Sequence, residues 1–418
     1  MKLSEKGWLS AYIDYRKNHL GESQLASSEH PDYALYKLLQ PTGMLYGSPV
    51  KPENLDPAEF AVLTEHDKLK VLLAESLINA ALLIDLKDIS NSADFSLKLD
   101  TTVENITNFY NQIYPEIAVS NRTLFGGKKN PESVAEKIIE RRIAKMPASD
   151  DGFWSHFFYN TLVFLDIYFF GQWIHTSLES SVSQFFIQEK EDLRFTVIKV
   201  MVAAAHANNI VEIEEKKLFK HLLNSAQLSS SREKEAWNYL EHGISVEEIP
   251  PPENNSWLLK KYFLELAILT VWADRVVDER EINFLKRLNK HLGFFEDDLD
   301  KSMMAIEGFV LDHWKELGEL QSKKSFDELG KEYEEKIAKI AQRSETRLTQ
   351  EIKESEQITG LITKYSGGTI SKEDEERLKG LLMQTLQKLP TFAFVALPST
   401  YLTLPLLFKI LPEAVLNR

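Results

Sequence analysis

The sequence predicts an all-α, multi-helical protein, and three observations predict it. Apolar residues recur at three- and four-residue steps through several long stretches. Helix-start signals stand at the heads of those stretches, and one helix–turn–helix pattern occurs twice. The 418 residues are 43% apolar and 27% charged, which is globular composition with length for two or three cores. A net charge of −14 argues against a general nucleic-acid binder, whose affinity rests on cations neutralising phosphates. With no cysteine, disulfide scaffolds, thiolate zinc sites and cysteine nucleophiles are excluded.

Four segments are expected: an N-terminal helical region over residues 1–190, a pseudo-repeated helical domain over 191–315, a charged helical arm over 316–370, and a proline-kinked apolar segment over 371–418. Residues 1–18 have no uninterrupted apolar core. They read as an amphipathic helix rather than a signal peptide, which points to the cytoplasm. In residues 61–86, Leu69, Leu72, Leu73, Leu77 and Ala80 share one helical side. A further helix starts at Asn130-Pro131-Glu132, where Asn caps well and Pro suits the first helical position. Gly126-Gly127-Lys128-Lys129 before it has neither the Walker spacing nor a preceding strand and reads as a loop.

Residues 153–174 hold six Phe, two Trp and two Tyr around Asp166. An Asp at a bilayer centre costs roughly 2.5–3.5 kcal/mol. The stretch therefore reads as a central core helix with Asp166 hydrogen-bonded or ion-paired; the competing reading is an intramembrane ionisable group.

The repeat aligns residues 205–222 with 271–288. Asn208 falls on Asp274, Ile210 on Val276, Val211 on Val277, Glu212 on Asp278 and Glu215 on Glu281, giving A-[ND]-x-[IV]-V-[ED]-x-x-E. Each copy joins two apolar helical segments, 197–205 to 216–223 and 257–272 to 282–292. Asp278 with Glu281 three residues later is a capping-box arrangement, and Gly293 after His291-Leu292 is a common left-handed stop. Two such corners over residues 195–313 resemble the tellurite-resistance-B-like (TerB-like) helical domain. In that family the acidic corners are proposed to bind a divalent metal, which here implies Asp274, Asp278 and Glu281 with Asn208, Glu212 and Glu215 as ligands. The sequence departs from the family pattern at Arg275 and Asn209, where glycine is usual, and at Asn208, which replaces an acid. An EF-hand is excluded, because its first ligands would fall at Thr270 and Trp272 inside an apolar helix. The acids then either cap helices or share one divalent ion.

Phe326, Leu329, Tyr333, Ile337 and Ile340 form one narrow stripe on a charged helix, as expected of a solvated arm or a short coiled coil. Ser366-Gly367-Gly368 breaks it, and Ser371 with Asp374 caps a last helix. Residues 389–411 follow with Lys409 as their only ionised side chain and Leu-Pro steps at Pro390, Pro398, Pro405 and, just beyond, Pro412. The run has the length of a bilayer crossing, about 20 residues. Each interior proline, however, frees a carbonyl that lipid cannot satisfy. A kinked, partly protein-packed segment in contact with a membrane is expected.

Residues 383–413 resemble the membrane-entry segment of the LETM family of inner-membrane proteins, in which proline-punctuated apolar blocks finish in a K-x-x-P-like turn, here Lys409 to Pro412. A TerB-like middle with a LETM-like end is similar to bacterial LETM-related proteins named as biofilm-associated. That resemblance implies a membrane-associated interaction or envelope-stress module on the cytoplasmic side of the inner membrane, with an unspecified protein partner and no nucleic acid. The alternative is a soluble cytoplasmic metal-binding sensor whose C-terminal segment packs on the body. LETM cation/proton exchange and ribosome attachment belong to segments that follow this one in the family, and they are not carried over. No G-x-S-x-G, H-E-x-x-H, P-loop or G-x-G-x-x-G occurs, and Ser231-x-x-Lys234 lacks companion motifs, so no enzyme is expected.

Overall fold

The computed structural model describes residues 2–18, 30–50, 57–84, 89, 91–122, 127–144, 152–176, 182–208, 213–273, 278–315, 317, 325–392 and 395–415. The described residues form an all-α, multi-helical fold, with one isolated bridge between Arg122 and Lys128 in the loop before the Asn130 cap. Two compact units account for the chain: Met1–Val271 with Asp278–His291, and Trp272–Val277 with Leu292–Arg418.

The first unit contains α1 (Trp8–Asn18), α2 (Pro31–Leu39), α3 (Pro57–Ala61), α4 (Glu65–Ile84), α5 (Ser92–Ile113), α6 (Pro131–Ala144), α7 (Gly152–Asn160), α8 (Val163–Thr176), α9 (Val182–Ala205), α10 (Ile213–Ala226), α11 (Ser230–His242), α12 (Trp257–Trp272) and α13 (Glu279–His291). Three of these are apolar on nearly every side and make its centre: α4 is buried without a gap from Leu69 to Leu83, α8 from Val163 to Phe170, and α12 from Lys261 to Val271. Amphipathic helices close around them; α1 lays Trp8, Leu9, Tyr12 and Ile13 against α5 and α6. Thr64 starts α4 by accepting the Asp67 amide at 3.1 Å, which splits the helix expected over residues 61–86 after Ala61. The expected boundary at residue 190 lies inside α9, which runs through it unbroken.

Residues 153–174 form two helices rather than one, and the cause is a distant turn. Gly47, at φ +66°, lets the Met44–Tyr46 turn approach so closely that a Cβ there would lie 2.5 Å from the Asn160 carbonyl carbon. Thr161 donates to the Leu45 carbonyl (3.1 Å), Asn160 to the Gly47 carbonyl (3.3 Å), and the Tyr262 hydroxyl takes the Thr161 carbonyl (2.9 Å). The backbone then tightens to i→i+3 bonds at Phe164 and Leu165 before α8 proceeds.

The second unit contains α14 (Glu296–Asp312), α15 (Phe326–Arg343), α16 (Glu345–Lys353), α17 (Glu356–Ser366), α18 (Lys372–Gln387) and α19 (Leu404–Ile410). The stripe expected on a solvated arm is packed instead. Leu329, Tyr333, Ile337 and Ala341 are buried, with α15 against α14 and α19, and Leu348 and Ile352 continue the buried line into α16. A narrow apolar stripe suits a coiled-coil seam and a small bundle equally, so the pattern alone did not separate them.

Candidate functional site

The corner before α13 is a working cap. Asp278 Oδ1 accepts the amides of Arg280 (2.7 Å) and Glu281 (2.9 Å), while Glu281 Oε2 accepts the Asp278 amide (2.7 Å). The first corner meets it: Asn208 Nδ2 donates to Glu281 Oε1 at 3.2 Å, and Arg280 Nη1 reaches the Asn208 carbonyl at 3.4 Å. The structure thus brings together Asn208, Asp278 and Glu281 of the six expected ligands. Asp274 and Glu212 lie outside the described residues, as does the side chain of Glu215. Both Glu281 oxygens are held by protein donors, and an arginine stands beside the pair. Among the described residues no group of three or more His, Asp or Glu is arranged to hold a metal ion. The described donors cap a helix and do not by themselves make a cation site. His206, near the first corner, bonds the Leu240 carbonyl through Nε2 at 2.9 Å.

The C-terminal apolar run is a strap. Pro390 ends the continuation of α18, and the described residues of 389–392 and 395–403 proceed as separate turns closed by single bonds, Phe392 to Leu389, Val395 to Phe392 and Leu402 to Pro398. Proline near the start of α19 then opens its seven residues. Leu389, Phe392, Val395, Leu397, Leu402, Leu407, Phe408 and Ile410 are buried, and Ser399, Thr400, Thr403 and Lys409 are exposed. Two carboxylates hold the outer side. Asp312, at the end of α14, accepts the Tyr401 amide at 2.6 Å, and burial pushes its carboxyl up to about 6 against the pull of the Tyr401, Thr400 and Ser399 amides. Glu334 on α15 accepts from the Tyr401 hydroxyl (3.0 Å) and from Lys409 Nζ (2.7 Å). No helix among the described residues is long and apolar enough to cross a membrane.

Three buried carboxylates tie the first unit together. Asp166, fully buried, accepts from Arg142 Nε (2.6 Å) and Nη2 (3.2 Å), from Tyr110 (3.0 Å) and from Tyr114 (2.5 Å). Burial alone would raise its pKa, but the Arg142 guanidinium, the Arg194 charge and the Tyr114 hydrogen bond together outweigh that and hold it below the usual range. Lys190, 4.1 Å over the Tyr114 ring, is brought down to about 8 by burial and the Arg194 charge. Glu265 on α12 accepts from Tyr36 (2.6 Å) and Tyr46 (2.7 Å) beside Lys261 at 3.3 Å, and burial pushes its pKa up. Glu75 on α4 accepts from Tyr12 (2.5 Å) next to Arg16. Asp166 carried a sequence signal, an acid in an aromatic run. Glu75 and Glu265 stand in apolar helical stretches as well, and that was the signal available for them.

No family model, no curated protein and no solved structure matches this chain.

Proposed function

We propose that the chain is a non-enzymatic, helical interaction protein that associates with the inner membrane from its cytoplasmic side through the Leu-Pro strap, in the manner of LETM-related proteins with TerB-like corners. One observation carries the reading. The least charged stretch of the sequence is neither a spanning helix nor an inner helix of the unit; its described residues make separate turns followed by the short α19, laid over α14, α15 and α18. Its apolar side chains suit a lipid interface, and few backbone bonds must break to present them there. The buried carboxylates of the first unit are satisfied by tyrosines, arginines and lysine, which suits a scaffold rather than a reaction centre. The test is sedimentation of the full chain with phospholipid vesicles beside a chain lacking residues 389–418. Binding lost on deletion supports the reading, and equal partition of the two sinks it.

A second reading, a soluble protein whose strap is a permanent part of the second unit, is favoured by the depth at which Phe392, Val395, Leu402 and Leu407 are buried. It expects no vesicle binding by either chain.

A further inference from the structure

Four glycines stand inside helices of the second unit, where glycine is a poor helix former, and two of them face the strap. Gly308 is in α14 and Gly330 in α15. A Cβ on Gly308 would lie 3.1 Å from Pro398 Cδ and 2.8 Å from the Tyr333 hydroxyl. A Cβ on Gly330 would fall on the Tyr401 hydroxyl, with the ring Cζ at 3.0 Å. The bare backbone of each helix therefore receives one side of the strap's Pro398-Ser-Thr-Tyr401 turn. Glycines in α17 and α18 show no such use, since a Cβ on Gly360 or Gly380 meets nothing within 4 Å.

We propose that Gly308 and Gly330 are paired sockets selecting the Pro398 and Tyr401 of the strap, so that the strap is a removable latch over an apolar face of α14 and α15. Three features make it removable. Ahead of α19 the described residues of the strap are stitched by isolated turns rather than by a continuous helix. Among the described residues its polar fastenings are Asp312 on the amides of the turn, and Glu334 on the Tyr401 hydroxyl and Lys409. The Tyr333 hydroxyl beneath it is fully buried with no hydrogen-bond partner, so the seat keeps an unsatisfied donor that opening would hydrate. What captures the released strap rests on the membrane reading above: a phospholipid surface takes the apolar residues 389–411, and the sockets decide how often they are offered.

The test uses the full chain. Gly330→Ala closes one socket, and Tyr401→Phe in the same chain removes the atom it strikes while leaving Lys409 on Glu334. Gly360→Ala is the control for changing a helical glycine in this unit. Hydrogen exchange of strap peptides reads the latch, and vesicle sedimentation reads its consequence. Gly330→Ala is expected to speed strap exchange roughly tenfold or more, the scale of an overpacked contact. Tyr401→Phe is expected to reverse that in part, since the ring Cζ stays 3.0 Å from the new Cβ and the hydroxyl's bond to Glu334 is lost, and Gly360→Ala to leave it unchanged. Vesicle binding should rise and fall with the exchange. Gly330→Ala exchanging like Gly360→Ala, or no rescue by Tyr401→Phe, overturns the sockets. Faster exchange with rescue and no vesicle binding upholds the sockets and overturns the membrane reading.

Discussion

Asp166→Asn is the most demanding test of how the first unit is held together. The substitution keeps the shape of the side chain and removes the charge that faces Arg142, whose guanidinium is itself buried. Removing one partner of a buried ion pair costs about 3–5 kcal/mol, because the other charge is left without compensation in a poorly solvating interior. Tyr110 and Tyr114 compound the loss, since the amide oxygen cannot serve both hydroxyls and both arginine nitrogens that Asp166 now accepts. Because the chain has two compact units, one global unfolding energy is not well defined. Hydrogen exchange of peptides from α5 and α8 reads the local opening energy instead. The expected effect is a rise in exchange of roughly a hundredfold to a few thousandfold, at about 1.4 kcal/mol per factor of ten. Asp166→Leu combined with Arg142→Met should recover part of that stability, as apolar replacement of buried pairs does. Recovery should be incomplete, because the Arg194 charge also acts on Asp166 and would lose its counter-ion. A rise in exchange below about fivefold for Asp166→Asn, or a double variant no more stable than the single one, would refute the reasoning.

Three further outcomes are expected. The Asp312 carboxyl sits near 6 in the folded chain against an ordinary 3.8, so the folded state holds its proton more tightly. That contribution is complete below pH 3.8 and is lost as pH rises through 6, about 3 kcal/mol in all. Strap exchange, corrected for its intrinsic pH dependence, should therefore be slower at pH 5 than at pH 8, and Asp312→Asn should flatten the difference; equal protection at both pH values would contradict it. At the corner, Asp278→Ala should cost α13 about 1 kcal/mol by removing the acceptor of two amides. Millimolar magnesium, calcium or manganese should leave hydrogen exchange of α13 peptides unchanged. A slowing that Asp278→Asn with Glu281→Gln abolishes would show that the same carboxylates hold an ion.

The sequence by itself determined the helical class and many of the helix ends. Asn130 caps α6 through the Glu132 amide, Asp278 and Glu281 cap α13, Ser371 caps α18 through Asp374, and Gly293 takes a left-handed φ of +76°. These signals are legible because a cap joins residues two or three positions apart and helical periodicity repeats every 3.6 residues; both are local. Tertiary structure decided the rest. Residues 153–174 break at Thr161 because Gly47 and Tyr262, more than a hundred residues away in either direction, take its neighbourhood and its carbonyl. The stripe of α15 joined a bundle because α14 and α19 were there to receive it. Asp166 became an ion-paired core residue through Arg142 on α6 and two tyrosines at the end of α5. The Leu-Pro run was the most ambiguous, since an apolar side chain leaves water for lipid or for protein with similar gain. Its prolines excluded a straight helix, and the sockets at Gly308 and Gly330, invisible in any local pattern, decided where it lies.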